Sequence, residues 1–313
     1  MPDSRPIQAS ERRYDGTGRA SPQWWPSRYG AEDQAGTGNE LTPERVLAAL
    51  RIPSRGEVIE LAQLLEPGIP AYPPRGWDQL ILAHGSLDES VLAPDTTRPS
   101  YFEEHVSQTY QIGCHLDALG HLGIDGRFYN GHHYKDIYEP TGLTKLGIEH
   151  ARPWLAKGVC LDIAGLVGEE MLTEGFAIDP DHLAAACERQ EVEIGAGDVV
   201  VVHTGWSKLW NVDNERYGAL EPGLGWEAGH WLTDRRISLA AADNWCLEVW
   251  PPEKEDAPLA VHQHLLAETG TYILENIKTQ ELIDGGVSEF LFVLSPNRTK
   301  GSTGSMASPL AVV

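Results

Sequence analysis

His115, Asp117 and His121 fall within one short segment, QIGCHLDALGH, which begins at Gln111. If this segment is a β-strand, Gln111, His115 and Asp117 point to the same face, and Gly113 leaves a gap there. Imidazole and carboxylate groups two residues apart on a strand can converge on one cation, and zinc or manganese accepts such a nitrogen and oxygen set. His121 follows the strand and is free to carry protons. A His-x-Asp pair is more often a surface or turn feature, but the small, apolar flanking residues favour a metal site.

A second group of titratable residues lies late in the chain. His262 and His264 precede a pair of leucines, and the strand-like run Tyr-Ile-Leu-Glu ends at Glu275. An unpaired carboxylate is expensive to bury, so Glu275 at the end of an apolar strand predicts a bound cation. The alternative for Glu275 is a solvated strand end. His264 is either a second candidate ligand or an ordinary helix residue.

The composition narrows the class of function. The chain has 313 residues, 41% of them hydrophobic, and its 24 basic and 46 acidic residues give a net charge of −22. This charge argues against binding to nucleic acid and to an anionic membrane surface. No run approaches the about 20 apolar residues of a membrane span, and the N-terminal residues lack the apolar core of a signal peptide. We therefore expect a cytoplasmic protein that acts on a small molecule.

The cysteines and two absent motifs further restrict the class of protein. Cys114, Cys160, Cys187 and Cys246 are widely spaced and form no Cys-x-x-Cys pair, which predicts free thiols in a reducing compartment. Cys114 lies inside the candidate site, where a small buried packing residue is the favoured interpretation over a nucleophile. The sequence contains neither a phosphate-binding Gly-x-x-x-x-Gly-Lys-Ser/Thr loop nor a Gly-x-Ser-x-Gly elbow, which argues against a nucleotide-dependent enzyme and a serine hydrolase.

The elements that position these residues follow from the apolar pattern. Residues 1–22 are polar and predict a flexible arm, and residues 23–313 predict a single domain. Thr42 and Pro43 predict the start of a helix that ends near Leu50. Short apolar runs predict strands at 56–62, 159–164, 198–203, 237–242 and 290–294. Helical stretches at 181–191, 227–233 and 260–268 alternate with the later strands, which predicts a mixed α/β fold, and the Pro-rich run 66–74 predicts a surface loop.

The motifs resemble those of the metal-dependent cyclase superfamily, which includes kynurenine formamidase-like and isatin hydrolase-like proteins. The first motif of the family is His-x-Gly-Thr-His-x-Asp-x-x-x-His, and residues 111–121 match it except at Gln111 and Cys114. The second motif is a His before Leu-Leu, followed by Glu-Asn, and His262 with Glu275 matches it. Further similar stretches are 202–206, 129–131 and the opening 25–44, which is similar to the longer branch of the family.

The resemblance implies a fold and a metal site. The fold would be a single α/β domain of the swivelling β/β/α type, with a mixed, barrel-like sheet and flanking helices. It implies that His115, Asp117, His262 and Glu275 bind a divalent metal, Mn²⁺ or Zn²⁺, and that His121 acts as general base or acid. Gln111 stands where the family has a further ligand, and because an amide is a weaker ligand, a single Mn²⁺ is favoured over two zinc ions. A homodimer or homotetramer is the implied assembly.

The implied activity is the hydrolysis of an amide, lactam or lactone bond in a small cyclic or aromatic substrate, by metal-activated water with a histidine base. Trp206, Tyr129, Asn130 and Trp245 are the candidate substrate contacts. The loops around 65–105 and 207–235 are expected to set the specificity. Two alternatives stay open: a metal-dependent cyclase or lyase, such as a dehydratase acting on a small carbonyl compound, and a catalytically silent ligand-binding homologue, which the glutamine at position 111 supports.

Overall fold

The computed structural model describes residues 24–84 and 101–313 of the chain. The predicted N-terminal arm, residues 1–22, lies outside the described residues. Part of the loop region expected to set specificity, residues 85–100, lies outside them as well.

One nine-stranded sheet forms the centre of the fold and curls into a half-barrel. Its strands are β1 Val58–Glu60, β4 His115–Asp117, β5 Trp154–Asp162, β7 Val199–His203, β9 Leu239–Ala242, β10 Tyr272–Glu275, β11 Glu289–Leu294, β12 Gly304–Met306 and β13 Leu310–Val312. Their order is β1-β13-β11-β5-β7-β9-β10-β4-β12. The four central strands, from β5 to β10, are parallel, and antiparallel strands extend the sheet on both sides.

The central strands form where the sequence has continuous apolar runs. Every residue of Val199–His203 and of Leu239–Ala242 is buried, as expected for parallel strands that helices cover on both faces. The predicted strands at 198–203, 237–242 and 290–294 are thereby confirmed. The run at 159–164 belongs to β5, which starts earlier, at Trp154, and ends at Asp162, where a short helix begins.

Helices flank this sheet. They are α1 Pro43–Ala49, α2 Tyr134–Ile137, α3 Ile163–Leu166, α4 Pro180–Gln190, α5 Asn214–Ala219, α6 Trp226–Asp234, α7 Ala260–His262 and α8 Gln280–Asp284. The predicted start of α1 is confirmed, because the Thr42 hydroxyl accepts a hydrogen bond from the Arg45 amide across the first turn. The predicted helix at 260–268 is two pieces, α7 and a π-helical segment, Gln263–Thr269. Such wide turns are frequent at functional sites.

Two smaller sheets lie outside the central one. A long hairpin joins β2 Trp77–His84 to β3 Tyr101–Gln108, and a short parallel pair joins β6 Ala177–Ile178 to β8 Gly223–Leu224. The hairpin lies in the region expected to be loop, so that part of the expectation was wrong. The Pro-rich segment at 66–74 just before the hairpin is a loop, as predicted.

The expected mixed α/β fold with a barrel-like sheet and flanking helices is confirmed. The hydrophobic core lies between the sheet and its helices, with Trp154, Phe290 and Phe292 among its largest buried side chains. Across the described ranges, 24–84 and 101–313, no helix has the length and apolar character needed to cross a membrane.

Candidate metal centre

Strand pairing places three predicted ligands side by side. The short strand β4 carries His115 and Asp117, and it lies between β10 and β12. In the antiparallel register of β4 and β10, Glu275 is directly opposite His115, so their side chains share one face of the sheet. Asp117, two residues beyond His115, lies on that same face. The sheet thus joins two motifs that are far apart in the sequence.

These three side chains form the first ligand set, which is buried. His115 and Asp117 are each 1% exposed and Glu275 is 3% exposed. His115 Nε2 lies 3.1 Å from Glu275 Oε2 and 3.7 Å from Asp117 Oδ1. The other ring nitrogen, Nδ1, is 2.8 Å from the Gly113 carbonyl oxygen, to which it donates as an N–H. This bond turns Nε2 toward the two carboxylates.

The protein satisfies the buried polar atoms of the first set only in part. Both carboxylate oxygens of Asp117 and the Nε2 atom of His115 have no hydrogen-bond partner within the part of the chain that the structure describes. Burial alone would lower the pKa of His115, but the neighbouring Glu275 and Asp117 carboxylates outweigh it and raise that pKa. A buried, unpartnered carboxylate costs several kcal/mol unless a cation compensates it. The donor atoms therefore fit a divalent metal ion.

His262 lies on the other side of Glu275. Its Nε2 is 3.0 Å from Glu275 Oε1, and its Nδ1 is 2.6 Å from Glu248 Oε1. Glu248 also accepts hydrogen bonds from the backbone amides of His262 and Val261. A carboxylate that holds the far nitrogen of a histidine in this way fixes the ring and leaves the near nitrogen free for a metal. His264 is engaged elsewhere, with Glu268 and Thr233 at 2.8 Å each.

The candidate ligand atoms fall into two sets that share Glu275. The first set contains His115 and Asp117, and the second contains His262 and Cys246; within each set the ligand atoms lie within 4.8 Å of one another. Cys246 is buried and lies in the turn that follows β9. The sequence motifs pointed to neither Cys246 nor Glu248. The signal for Glu248 was present, because an acidic residue interrupts the otherwise apolar run Cys-Leu-Glu-Val-Trp.

His121 stands at the edge of the first set. Its Nε2 is 3.8 Å from Asp117 Oδ1, and its side chain is 22% exposed. Burial is the main cause that lowers the pKa of His121, with the neighbouring His262 and His115 acting in the same direction. A histidine with a lowered pKa is neutral near pH 7 and able to accept a proton.

Gln111 contacts His121 rather than a strand neighbour. Its amide nitrogen lies 3.4 Å from His121 Nδ1 and 3.2 Å from the Thr303 hydroxyl. The expected strand face was wrong, because β4 begins only at His115 and residues 111–114 form bends. Gly113 leaves no gap either: its φ is +57°, and a side chain at this position would clash with Leu65. Ligation of metal by Gln111 stays a prediction.

A cavity opens onto both ligand sets. Asp117, His121, His262, Glu275 and Cys246 supply its polar floor. Its wall is aromatic: the rings of Tyr72 and Trp245 stack at 5.6 Å, and Trp250 lies 6.2 Å from Trp245. Tyr72 comes from the Pro-rich loop, which therefore shapes the cavity. Arg75 from the same region also lines it.

Only one of the four predicted substrate contacts, Trp245, lines this cavity. Trp206 is fully buried, and its indole N–H donates to the Tyr217 carbonyl oxygen at 3.1 Å. Tyr129 is buried and donates to Asp33 at 2.7 Å. Asn130 accepts from the Ser27 amide and donates to the Gly30 and Ala31 carbonyls. Tyr129 and Asn130 therefore anchor the segment 24–36 to the domain.

Comparison with known proteins identifies the family. The family model described as "Putative cyclase" matches residues 59–249. The chain belongs to this cyclase family. The matched range includes His115, Asp117, His121, Cys246 and Glu248, whereas His262 and Glu275 lie beyond its end.

Solved structures show the same fold. A structure described as a novel cyclase is similar to the cyclase-family chain with a TM-score of 0.82 and 29% identity, over 91% of this chain and 96% of that one. Isatin hydrolase A from Ralstonia solanacearum has a TM-score of 0.61 and 22% identity, over 87% and 98%. A predicted metal-dependent hydrolase from Bacillus stearothermophilus has a TM-score of 0.53 and 17% identity, over 82% of this chain and 97% of that one. No curated protein matches the chain in sequence.

Proposed function

We propose that the protein is a metal-dependent hydrolase that cleaves an amide, lactam or lactone bond in a small cyclic or aromatic substrate. One observation carries this proposal: the unpartnered, buried carboxylate of Asp117 lies beside His115 and Glu275 at the floor of an aromatic cavity. Membership of the cyclase family and the similarity of the fold to metal-dependent hydrolase structures support it.

The first ligand set would hold the ion. One imidazole nitrogen and two carboxylates suit Mn²⁺ or Zn²⁺, and three protein ligands leave coordination positions open, as catalytic sites require. When bound, a divalent ion supplies Lewis acidity, which lowers the pKa of water and polarises a carbonyl group. Glu248 and the Gly113 carbonyl hold His262 and His115 by their far ring nitrogens, so the near nitrogens are already directed at the site.

His121 is the proposed general base. It lines the cavity, and the burial that lowers its pKa keeps it neutral, so it can take a proton from the attacking water. The same imidazole then returns the proton to the leaving nitrogen or oxygen. The Gln111 amide nitrogen contacts the ring at 3.4 Å from Nδ1, the nitrogen that does not face Asp117.

The cavity wall supports a planar substrate. The stacked Tyr72 and Trp245 rings and the nearby Trp250 offer flat apolar surfaces against which an aromatic or lactam ring can pack. Among the described residues that line this cavity, Arg75 is the only lysine or arginine. Its guanidinium suits a carbonyl or acidic group of the substrate.

The direct test is product analysis in ¹⁸O-labelled water. The protein, loaded with Mn²⁺ or Zn²⁺, is incubated with isatin and with an aryl formamide, and the products are examined by mass spectrometry. Hydrolysis places one solvent oxygen in the acid product, and chelation of the metal stops it. A product formed without solvent oxygen would overturn hydrolysis in favour of cyclase or lyase chemistry. If neither metal supported turnover of a wider panel of amides, lactams and lactones, the result would count against the proposal that the protein is an enzyme.

A further inference from the structure

A second cavity adjoins the cavity that opens onto the ligand sets. Its volume is about 250 Å³, whereas that of the first cavity is about 140 Å³. Tyr72, Arg75 and Trp245 line both cavities, so the two meet at these three side chains. A cavity of roughly 150 Å³ holds one benzene ring. The first cavity therefore has room for a single ring with its reacting bond, and a larger substrate would extend into the second.

The loop that carries Tyr72 and Arg75 is held in place where the two cavities meet. Asn214, the first residue of α5, donates from Nδ2 to the Gly68 carbonyl oxygen at 2.8 Å. The Arg75 amide donates to the Tyr72 carbonyl oxygen at 2.9 Å, which closes a turn, and the Tyr72 ring stacks on Trp245. These contacts fix the position from which the Arg75 side chain extends between the cavities.

Arg75 is a half-buried positive charge that the protein does not pair. Among the residues that the structure describes, no acidic side chain forms an ion pair with its guanidinium, and no group accepts a hydrogen bond from it. The chain has 46 acidic and 24 basic residues, so a shortage of carboxylates does not explain this. A guanidinium presents a planar fork of N–H donors that matches the two oxygens of a carboxylate. Arg75 is therefore available to an acidic group from outside the chain.

The second cavity also contains a neutral hydrogen-bond donor. Asn276 lines it and is 5% exposed, and its Oδ1 accepts a hydrogen bond from the Tyr217 hydroxyl at 2.7 Å. Its Nδ2 bonds to no described residue, so the amide N–H groups are open to a ligand. Among the described lining residues Glu215 is the only acidic one, and it is exposed, so solvent screens its charge. One cation and one neutral donor suit a carboxylate better than a doubly charged phosphate.

We infer that the second cavity is a carboxylate-binding subsite, in which Arg75 and Asn276 hold an acidic tail of the substrate. The inference rests on the proposed function and narrows its substrate class to amides, lactams or lactones whose ring carries a carboxylate on a short chain. The tail passes the Tyr72 and Trp245 rings, which line both cavities. Because the tail is remote from the reacting bond, its contacts are the same in substrate and transition state, so they lower KM and set specificity.

A series of ligands that differ in chain length tests the subsite. Anilides that carry a carboxylate on one to four methylene groups are compared with their methyl esters, which have a similar shape without the charge. Calorimetry measures binding to the full-length protein stripped of metal, so that the ligands are not turned over and their carboxylates meet no bound ion. At the best-fitting length we expect the acid to bind about 10- to 100-fold more tightly than its ester, the range for hydrogen bonds between charged groups.

Four variants assign the preference for the acid to individual side chains. Arg75→Gln should abolish the difference in affinity between acid and ester, and Arg75→Lys, which keeps the charge without the planar fork, should retain part of it. Arg51→Gln, at an exposed arginine outside both cavities, is the matched control and should keep the full difference. Asn276→Asp can still accept from Tyr217 but repels a carboxylate, so it should weaken binding of the acid and not of the ester. Near-ultraviolet circular dichroism checks the fold of each variant.

The outcomes separate this inference from the proposed function. Equal affinities of acid and ester at every chain length in the wild type, or the full difference kept in Arg75→Gln, would overturn the subsite. If the metal-loaded protein hydrolyses amides or lactams but the acids are not preferred, the proposed hydrolase stands and the subsite falls. If the acids are preferred through Arg75 but no amide, lactam or lactone is hydrolysed, the cavity is a carboxylate-binding site and the proposed hydrolase falls.

Discussion

Glu275 is paired with His115 across strands β4 and β10, and its Oε2 lies 3.1 Å from His115 Nε2. The two residues are 160 positions apart in the sequence. Their contact depends on the central sheet, which places the end of a parallel strand beside a short antiparallel one. The proposed chemistry follows from this contact, since it brings a carboxylate to the two candidate ligands of the first motif.

Glu248 should tune the metal site without touching the ion. Glu248→Gln keeps the shape of the side chain but removes the charge that holds His262 Nδ1 at 2.6 Å. Changes of this kind lower metal affinity by about 10- to 100-fold. Competition with a metal-binding indicator dye measures the effect. Glu253→Gln, at an acidic residue that bonds the start of α6 instead of a histidine, is the matched control and should leave the affinity unchanged. Equal affinities in wild type and Glu248→Gln would contradict the positioning role.

His121 should be required for turnover and not for metal. His121→Gln should reduce kcat by about 10²- to 10⁴-fold, the usual contribution of a general base, because His262, the other histidine at the floor, is held by Glu248 and Glu275. The bound metal, counted by plasma mass spectrometry, should stay at the wild-type level. Loss of the ion in this variant would instead identify His121 as a ligand.

The two tryptophans predicted as substrate contacts should respond differently to substitution. Trp245→Ala removes one ring of the cavity wall and should raise KM while it leaves the melting temperature close to that of the wild type. Trp206→Ala empties a fully buried position and should cost about 3–5 kcal/mol of unfolding free energy. Chemical denaturation and steady-state kinetics separate the two effects. A change in KM alone for Trp206→Ala would contradict its assignment to the core.

Glu40 should make the fold sensitive to acid. Burial by itself would raise the pKa of Glu40, but hydrogen bonds from Tyr29 and Arg236, with the charges of Arg236 and Arg45, outweigh it and lower the pKa below its ordinary value. Arg236 Nη2 lies 2.6 Å from Glu40 Oε1. A carboxylate with a lowered folded-state pKa stabilises the protein fully above its unfolded pKa of about 4.3, and this stabilisation is lost as the pH falls through the folded-state value.

Glu40→Gln tests that assignment. The variant should be less stable at pH 7 by about 3–5 kcal/mol, since it leaves Arg236 without its ionic partner. The difference in unfolding free energy between wild type and variant should shrink as the pH is lowered below about 4.3. Urea denaturation at a series of pH values measures it. A difference in unfolding free energy that stays constant over this pH range would show that the charge of Glu40 does not stabilise the fold.

The sequence predicts much of the fold because short apolar runs that are rich in β-branched residues or bounded by Gly and Pro favour buried strands. The runs around Val199 and Leu239 became the central strands, and the Thr-Pro start of α1 was visible from its capping chemistry. The hairpin β2–β3 was not predicted, since its strands carry charged and exposed residues without a clear alternation of buried and exposed positions.

The candidate site was predictable where the ligands lie in compact motifs. His115, Asp117, His262 and Glu275 come together because two strands and one helix end carry them. Cys246 and Glu248 were missed because their turn is placed by long-range contacts, such as those from Glu221, which no local pattern encodes. Tyr129 and Asn130 suggested a substrate site, yet their polar groups hold the segment at 24–36 against the domain.

The most direct test of the proposed metal site is the metal content of the purified protein, by plasma mass spectrometry, in wild type and in Asp117→Asn. The variant keeps the size of the side chain and removes the charge whose two oxygens lack partners. We expect manganese or zinc in the wild type at one or more ions per chain, and the loss of one ion in the variant, with an unchanged circular dichroism spectrum. No bound metal in the wild type after reconstitution with either ion, or equal metal content in both proteins, would contradict it.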